Sequence, residues 1–136
     1  MREILFRGKR IAGHRDNTKD GTMLYGSLFI DKKGQPKIKW YDEHFGTAMT
    51  SNVASNTVGQ FTGLVDMNGK KIFEKDVGRR YLDKNRFDLM LVAYNEGTAS
   101  FVLGHSDDLE YYDTLMNAHI YCEVVGNVYD NPELMR

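Results

Sequence analysis

Arg79, Arg80, Lys84 and Arg86, with Tyr81 and Phe87 interleaved, form the strongest basic cluster of the chain. Basic side chains neutralise phosphates and aromatic rings stack on unpaired bases, so the pattern is a candidate nucleic-acid contact. Arg79 and Arg80 are adjacent, however, and on one strand they point to opposite faces, so a charged edge or hairpin end accounts for the same residues. Asp107, Asp108, Glu110 and Asp113 make the densest acidic cluster. Paired carboxylates can do acid–base work or hold a divalent ion, but this cluster lacks the ordered oxygen ligands and glycine of a calcium loop and reads as a solvated helix start or loop. The metal donors are His14, His44, His105, His119 and Cys122. Only His119 and Cys122 lie close together, and residues three apart on a strand face opposite sides. Cys122 sits among apolar residues, where a thiol packs as a small hydrophobe. The chain has no glycine-rich phosphate loop, nucleophile elbow or zinc-protease helix. The residues therefore assign no catalytic group, cofactor or metal, and leave a hydrolase or nucleotide-modifying enzyme built on Asp107, Asp108 or another scattered acid as the remotest alternative.

The elements that must position these groups belong to a chain of 136 residues, 41% hydrophobic and 27% charged, values typical of a globular protein. That length suits one domain, residues 1–136, able to bury a core without disulfides or metal. A net charge of −1 gives no global attraction to nucleic acid or to an anionic membrane. A single cysteine and the absence of a long apolar run fit a soluble protein of the cytoplasm with no membrane partner.

Strands dominate the pattern. Arg2–Gly8 suits an edge strand carrying protective charges. Residues 13–22 are a polar loop, and Met23–Ile30 and Pro36–Tyr41 flank a turn at Asp31-Lys-Lys-Gly34. Residues 42–56 show no sustained period and read as a long surface loop. Phe61–Val65 and Lys71–Phe73 flank Asn68-Gly69, a pair suited to a two-residue type I′ turn, and Gly63 marks a bulge or close approach. Val77–Leu82, Phe87–Tyr94 and Ala99–Leu103 follow as strands, separated by turns at Asp83–Asn85 and Asn95–Gly97; the last strand alternates as half-buried strands do. Ser106–Met116 is a helix candidate with Leu109, Tyr112 and Met116 on one face, the alternative being an acidic loop. Ile120–Tyr129 reads as a strand with Ile120, Cys122, Val124 and Val128 on one side, and Asn131-Pro132 starts a short terminal helical turn.

Three separated blocks carry a family resemblance. Met1-Arg-Glu-Ile-Leu-Phe-Arg-Gly-Lys-Arg10, the stretch from Gln60-Phe-Thr-Gly-Leu through Asp66-x-Asn-Gly-Lys-x-Ile-Phe-Glu-x-Asp76, and Val124-Val-Gly-Asn-Val-Tyr-Asp-Asn-Pro-Glu-Leu134 resemble the YopX family of phage and prophage proteins. One departure stands at Lys75, where the family more often has glycine. The resemblance implies a mainly β fold, α+β at most, with an SH3-like β-barrel element, hairpins and one or two short helices. It implies no catalytic residues. The expected function is that of a phage or prophage accessory protein that binds, most naturally to protein, whether a second copy of itself or a host or phage factor, with homo-oligomers allowed by strand edges. The alternative is a small nucleic-acid-binding module using Arg79, Arg80, Lys84 and Arg86.

Overall fold

The computed structural model describes residues 1–11, 20–105 and 112–135. Contacts divide the chain into two compact units, Met1–Gln60 and Phe61–Arg136.

In the first unit, β1 (Phe6–Lys9), β2 (Met23–Ile30), β3 (Pro36–Asp42), β4 (Thr47–Asn52) and the start of β5 (Gly59–Val65) pair antiparallel in the order β4-β3-β2-β1-β5. Leu24, Ile38 and Val53 are its buried centre, with Phe6, Leu28, Trp40 and Val58 packed around them. Gly8 permits this closeness, since a Cβ there would stand 2.9 Å from Val53 Cβ. Two expectations are corrected here. The opening strand is interior, lying between β2 and β5, and Arg7 is buried instead of guarding an edge. Residues 42–56 are not a long loop, for Thr47–Asn52 pairs with β3 and Ser55–Thr57 form a 3-10 turn. Thr, Ser and Asn give β4 little hydrophobic alternation to read. Its register is held across the sheet, with Trp40 Nε1 donating to Ser51 Oγ at 3.1 Å and the Ser51 side chain fully buried.

The second unit holds the rest of β5, then β6 (Lys71–Phe73), β7 (Asp76–Tyr81), β8 (Phe87–Asn95), β9 (Ser100–Gly104), β10 (Tyr112–Thr114), the single-turn α1 (Leu115–Ala118) and β11 (Cys122–Asn127). Five of these pair antiparallel in the order β10-β9-β8-β7-β11. Met90, Val92, Leu103, Leu115, Ala118, Cys122 and Val124 bury one face, joined by Ile72. β9 is not half-buried as its alternation suggests, because Val102 and Leu103, on opposite faces, are both inaccessible. Gly63, at φ +86°, sits where the β5–β6 register shifts, the bulge its position in the strand implies.

The candidate helix is also changed. Residues 106–111 lie outside the described residues, Tyr112–Thr114 is a strand paired with β9, and helix begins only at Leu115. An aromatic residue and a β-branched one make Tyr112-Asp-Thr114 a natural strand. His119–Tyr121 form a 3-10 turn, so Ile120 does not share the face of Cys122 and is exposed instead. The terminal turn starts at Pro132 as expected, with Leu134 N donating to Asn131 O.

Among the described residues the pairing makes two open sheets, without the closure that a barrel requires. The mainly β class of the sequence reading stands.

Candidate functional site

The basic segment folds as the end of β7, a turn and the start of β8. Arg79 faces one side, with its guanidinium 5.0 Å from the centre of the Phe87 ring and 3.5 Å from Glu123. Tyr81 donates its hydroxyl to the same carboxylate at 3.3 Å. Arg80 faces the opposite side and donates to Asp113 at 3.0 Å. Arg86, in the turn, donates Nε to Asp83 at 2.7 Å. The Asp83 carboxyl is held below its usual range by the Asn85 backbone N–H and then by the Arg86 side chain, so it stays a full negative charge beside Arg86. Lys84 is exposed at the turn. The four candidate residues are therefore spread over two faces and a turn, and three of them already carry an acidic partner.

The most buried carboxylates are those of the family-like signature. Asp66 Oδ1 accepts the backbone N–H groups of Asn68 and Lys70, both at 2.9 Å, and Oδ2 accepts that of Val124 at 2.9 Å. Asp76 Oδ2 accepts Phe73 N–H at 2.8 Å. The turn is not the expected type I′. Asn68 lacks a positive φ, Gly69 alone takes it at +82°, Gly69 N–H donates to Asp66 O and Asp66 N–H donates to Lys70 O. This is a type I turn closed by a left-handed glycine, a three-residue hairpin loop, and the Asp66 side chain selects it by occupying the N–H groups at positions 68 and 70. Lys75, the departure from the family, sits at φ +71°, a conformation glycine takes without strain. Its N–H donates to Val92 O and its carbonyl accepts from Val128, which holds it there.

The metal donors stay apart. His119 Nδ1 is 2.7 Å from Val65 O, His44 stacks edge-on with Phe45, and His14 lies outside the described residues with Asp107, Asp108 and Glu110. Among the described residues no three His, Cys, Asp or Glu side chains converge on one point. Cys122 is inaccessible and its thiol is pushed up to about 12, first by burial and then by the charge of Asp66, which leaves it a packing residue. The second unit carries an open groove of about 450 Å³ lined by Phe87, Asp88, Leu89, His105, Leu134 and Met135. No hydrogen bond joins its acid to its histidine.

One surface is not visible in the sequence taken strand by strand. Ser27 and Phe29 of β2 stand opposite Lys39 and Lys37 of β3, and these two lysines stand opposite Thr50 and Asn52 of β4. Tyr41, opposite Ala48, continues the same face, while Leu28, Ile38 and Ser51 point to the other side. Phe29 is 45% and Tyr41 64% exposed. The period-two pattern Lys37, Lys39, Tyr41 was the available signal, but β4 had to be recognised before it became part of a surface.

The family described as YopX protein matches the chain over residues 15–136. Among solved structures, the chain resembles that of protein EF1440 from Enterococcus faecalis, with a TM-score of 0.58 and 22% identity over 98% of this chain and 99% of that one. At that identity the likeness is one of fold. No curated protein matches.

Proposed function

The chain belongs to the YopX family, and from that premise we propose that it is a phage- or prophage-derived accessory protein that acts by binding a macromolecule, without catalysing a reaction, in the cytoplasm of a bacterial host. The observation that carries this reading is the use made of the signature carboxylates. Asp66 and Asp76 both accept backbone N–H groups within the second unit, so the residues that mark the family serve folding. Buried Cys122 and the dispersed histidines add no reactive constellation among the described residues. In the described residues no helix is long and apolar enough to cross a membrane.

Binding through Arg79, Arg80, Lys84 and Arg86 has less support than their density in the sequence suggests. A cation already paired with a carboxylate contributes less to a phosphate contact, and opposite faces cannot track one backbone.

Affinity capture of the tagged full chain from a host carrying the prophage, with ultraviolet absorbance and mass spectrometry of the eluate, tests the proposal. A stoichiometric protein or nucleic-acid partner is the expected result. A chain that elutes alone under mild conditions, and turns over a substrate in a broad hydrolase screen, would overturn it.

A further inference from the structure

The two units differ sharply in charge. Residues 1–60 hold ten Lys and Arg against six Asp and Glu, a net of +4, whereas residues 61–136 hold eight against thirteen, a net of −5. The near-neutral whole conceals a basic half and an acidic half, and the basic cluster at residues 79–86 lies in the acidic one. Such asymmetry in one chain points to a polyanion partner for the basic part.

We propose that the outer face of β2, β3 and β4 binds single-stranded nucleic acid, an inference that rests on the binding reading above. Phe29 and Tyr41 are exposed rings at the two ends of this face, Tyr25, two residues before Ser27 on β2, is a third, and Lys37 and Lys39 lie between Phe29 and Tyr41 on β3. Phe29 is paired across with Lys37, and Tyr41 is four residues further along β3, so the rings stand about 13 Å apart along the sheet. That arrangement offers two stacking platforms with Lys39 between them for an intervening phosphate, while Lys37, which shares Asp31 as the arginines of residues 79–86 share their acids, adds a weaker second contact. Lys32 and Lys33 extend the positive charge at the β2–β3 turn.

No acidic residue occupies an outward position on these strands. Asp31 lies in the turn, 3.8 Å from Lys37 and occupied by the Lys33 and Gln35 backbone N–H groups, and Asp42 is buried, accepting His44 and Phe45 N–H in the β3–β4 turn. Glu43 is exposed in that turn, beyond the end of β3. A protein-binding patch would be depleted of lysine at its centre, whereas here lysines occupy the centre and aromatic rings the ends. Exposed rings also favour unpaired bases over a duplex, whose bases are already stacked.

The test is fluorescence anisotropy of the full chain with labelled single-stranded DNA and RNA oligonucleotides of equal sequence, and with the matching duplex, at 50 and 200 mM salt. If Lys37, Lys39 and one turn lysine neutralise three phosphates, affinity falls about 20-fold between the two salts. K37E/K39E weakens binding at least about tenfold at low salt and flattens the salt slope, and F29A/Y41A weakens it at least about tenfold with the slope retained. Comparison of the DNA and RNA arms assigns the sugar. An unchanged far-ultraviolet circular dichroism spectrum and denaturation midpoint in each variant show that the fold is intact. No binding at 50 mM salt, a preference for duplex, equal binding by the face variants, or loss only on R80E/R86E would overturn the inference. If oligonucleotides fail but the chain captures a protein that F29A/Y41A loses, the nucleic-acid inference falls and the binding reading stands. If nothing is bound by either route, both fall.

Discussion

Asp31-Lys-Lys-Gly-Gln35 between β2 and β3, and Asp66-Met-Asn-Gly-Lys70 between β5 and β6, fold alike. In each, the aspartate N–H donates to the carbonyl four residues on, at 3.0 and 2.8 Å, and the glycine N–H returns to the aspartate carbonyl at 3.0 Å. In each, Oδ1 accepts the N–H groups at the second and fourth positions after it, and the glycine has a positive φ, +85° or +82°. The turns diverge in the remaining oxygen. Asp31 Oδ2 faces Lys37 at 3.8 Å near solvent, whereas Asp66 is buried and Oδ2 receives Val124 N–H from β11. Identical local chemistry thus makes a self-contained hairpin end in one unit and a tertiary fastening in the other. Only the second is part of the family-like signature.

Asp66→Ala breaks that difference at its strongest point. It removes three charge-assisted hydrogen bonds and leaves the buried Val124 N–H without an acceptor, so a loss of about 2–4 kcal/mol is expected, read as a fall of roughly ten degrees in thermal midpoint. Gly34→Ala and Gly69→Ala test the likeness instead. Neither added Cβ meets an atom within 4 Å, so each variant should cost only the left-handed backbone strain, about 1–2 kcal/mol, and the two losses should agree by denaturant titration. Lys75→Gly relieves the same kind of strain and should raise stability by about 0.5–1 kcal/mol.

Asp31→Ala is the smallest change, a shift in midpoint well below that of Asp66→Ala. Its pH dependence gives it a signature. The Gln35 and Lys33 backbone N–H groups and the Lys37 charge hold the Asp31 carboxyl below its ordinary value of 3.8 against partial desolvation. Below 3.8 the unfolded chain takes up a proton that the folded chain resists, so the contribution is present at neutral pH and disappears as pH falls through the folded value. Wild type and Asp31→Ala should therefore converge in midpoint in strong acid and separate above pH 4.

These pairs also mark what a reader of the sequence can see. Turns led by Asp31, Asp83 and Asn95 are legible because the side chain and the glycine or asparagine lie within a few residues of one another. The place of Asp66 Oδ2 depends on Val124, 58 residues away, and no local pattern contains it. β4 is illegible for a related reason, since its small polar residues are fixed by pairing with β3. The burial of Arg7 follows from β1 having neighbours on both sides, a fact of topology. The basic segment 79–86 was conspicuous because its residues are contiguous, while Lys37, Lys39, Phe29 and Tyr41 become a surface only once three strands are aligned.

Lys75 carries a consequence of another kind. Its backbone joins β8 to the segment after β11 through Val92 and Val128, and those two hydrogen bonds depend on the main chain alone. A side chain at this position is tolerated because the neighbouring pairing absorbs the backbone cost, so the site is open to drift in proportion to the stability that the rest of the unit has in reserve. In a weakened background such as Asp66→Ala that tolerance should vanish, and a selection for stable folding starting from that variant should return glycine at position 75.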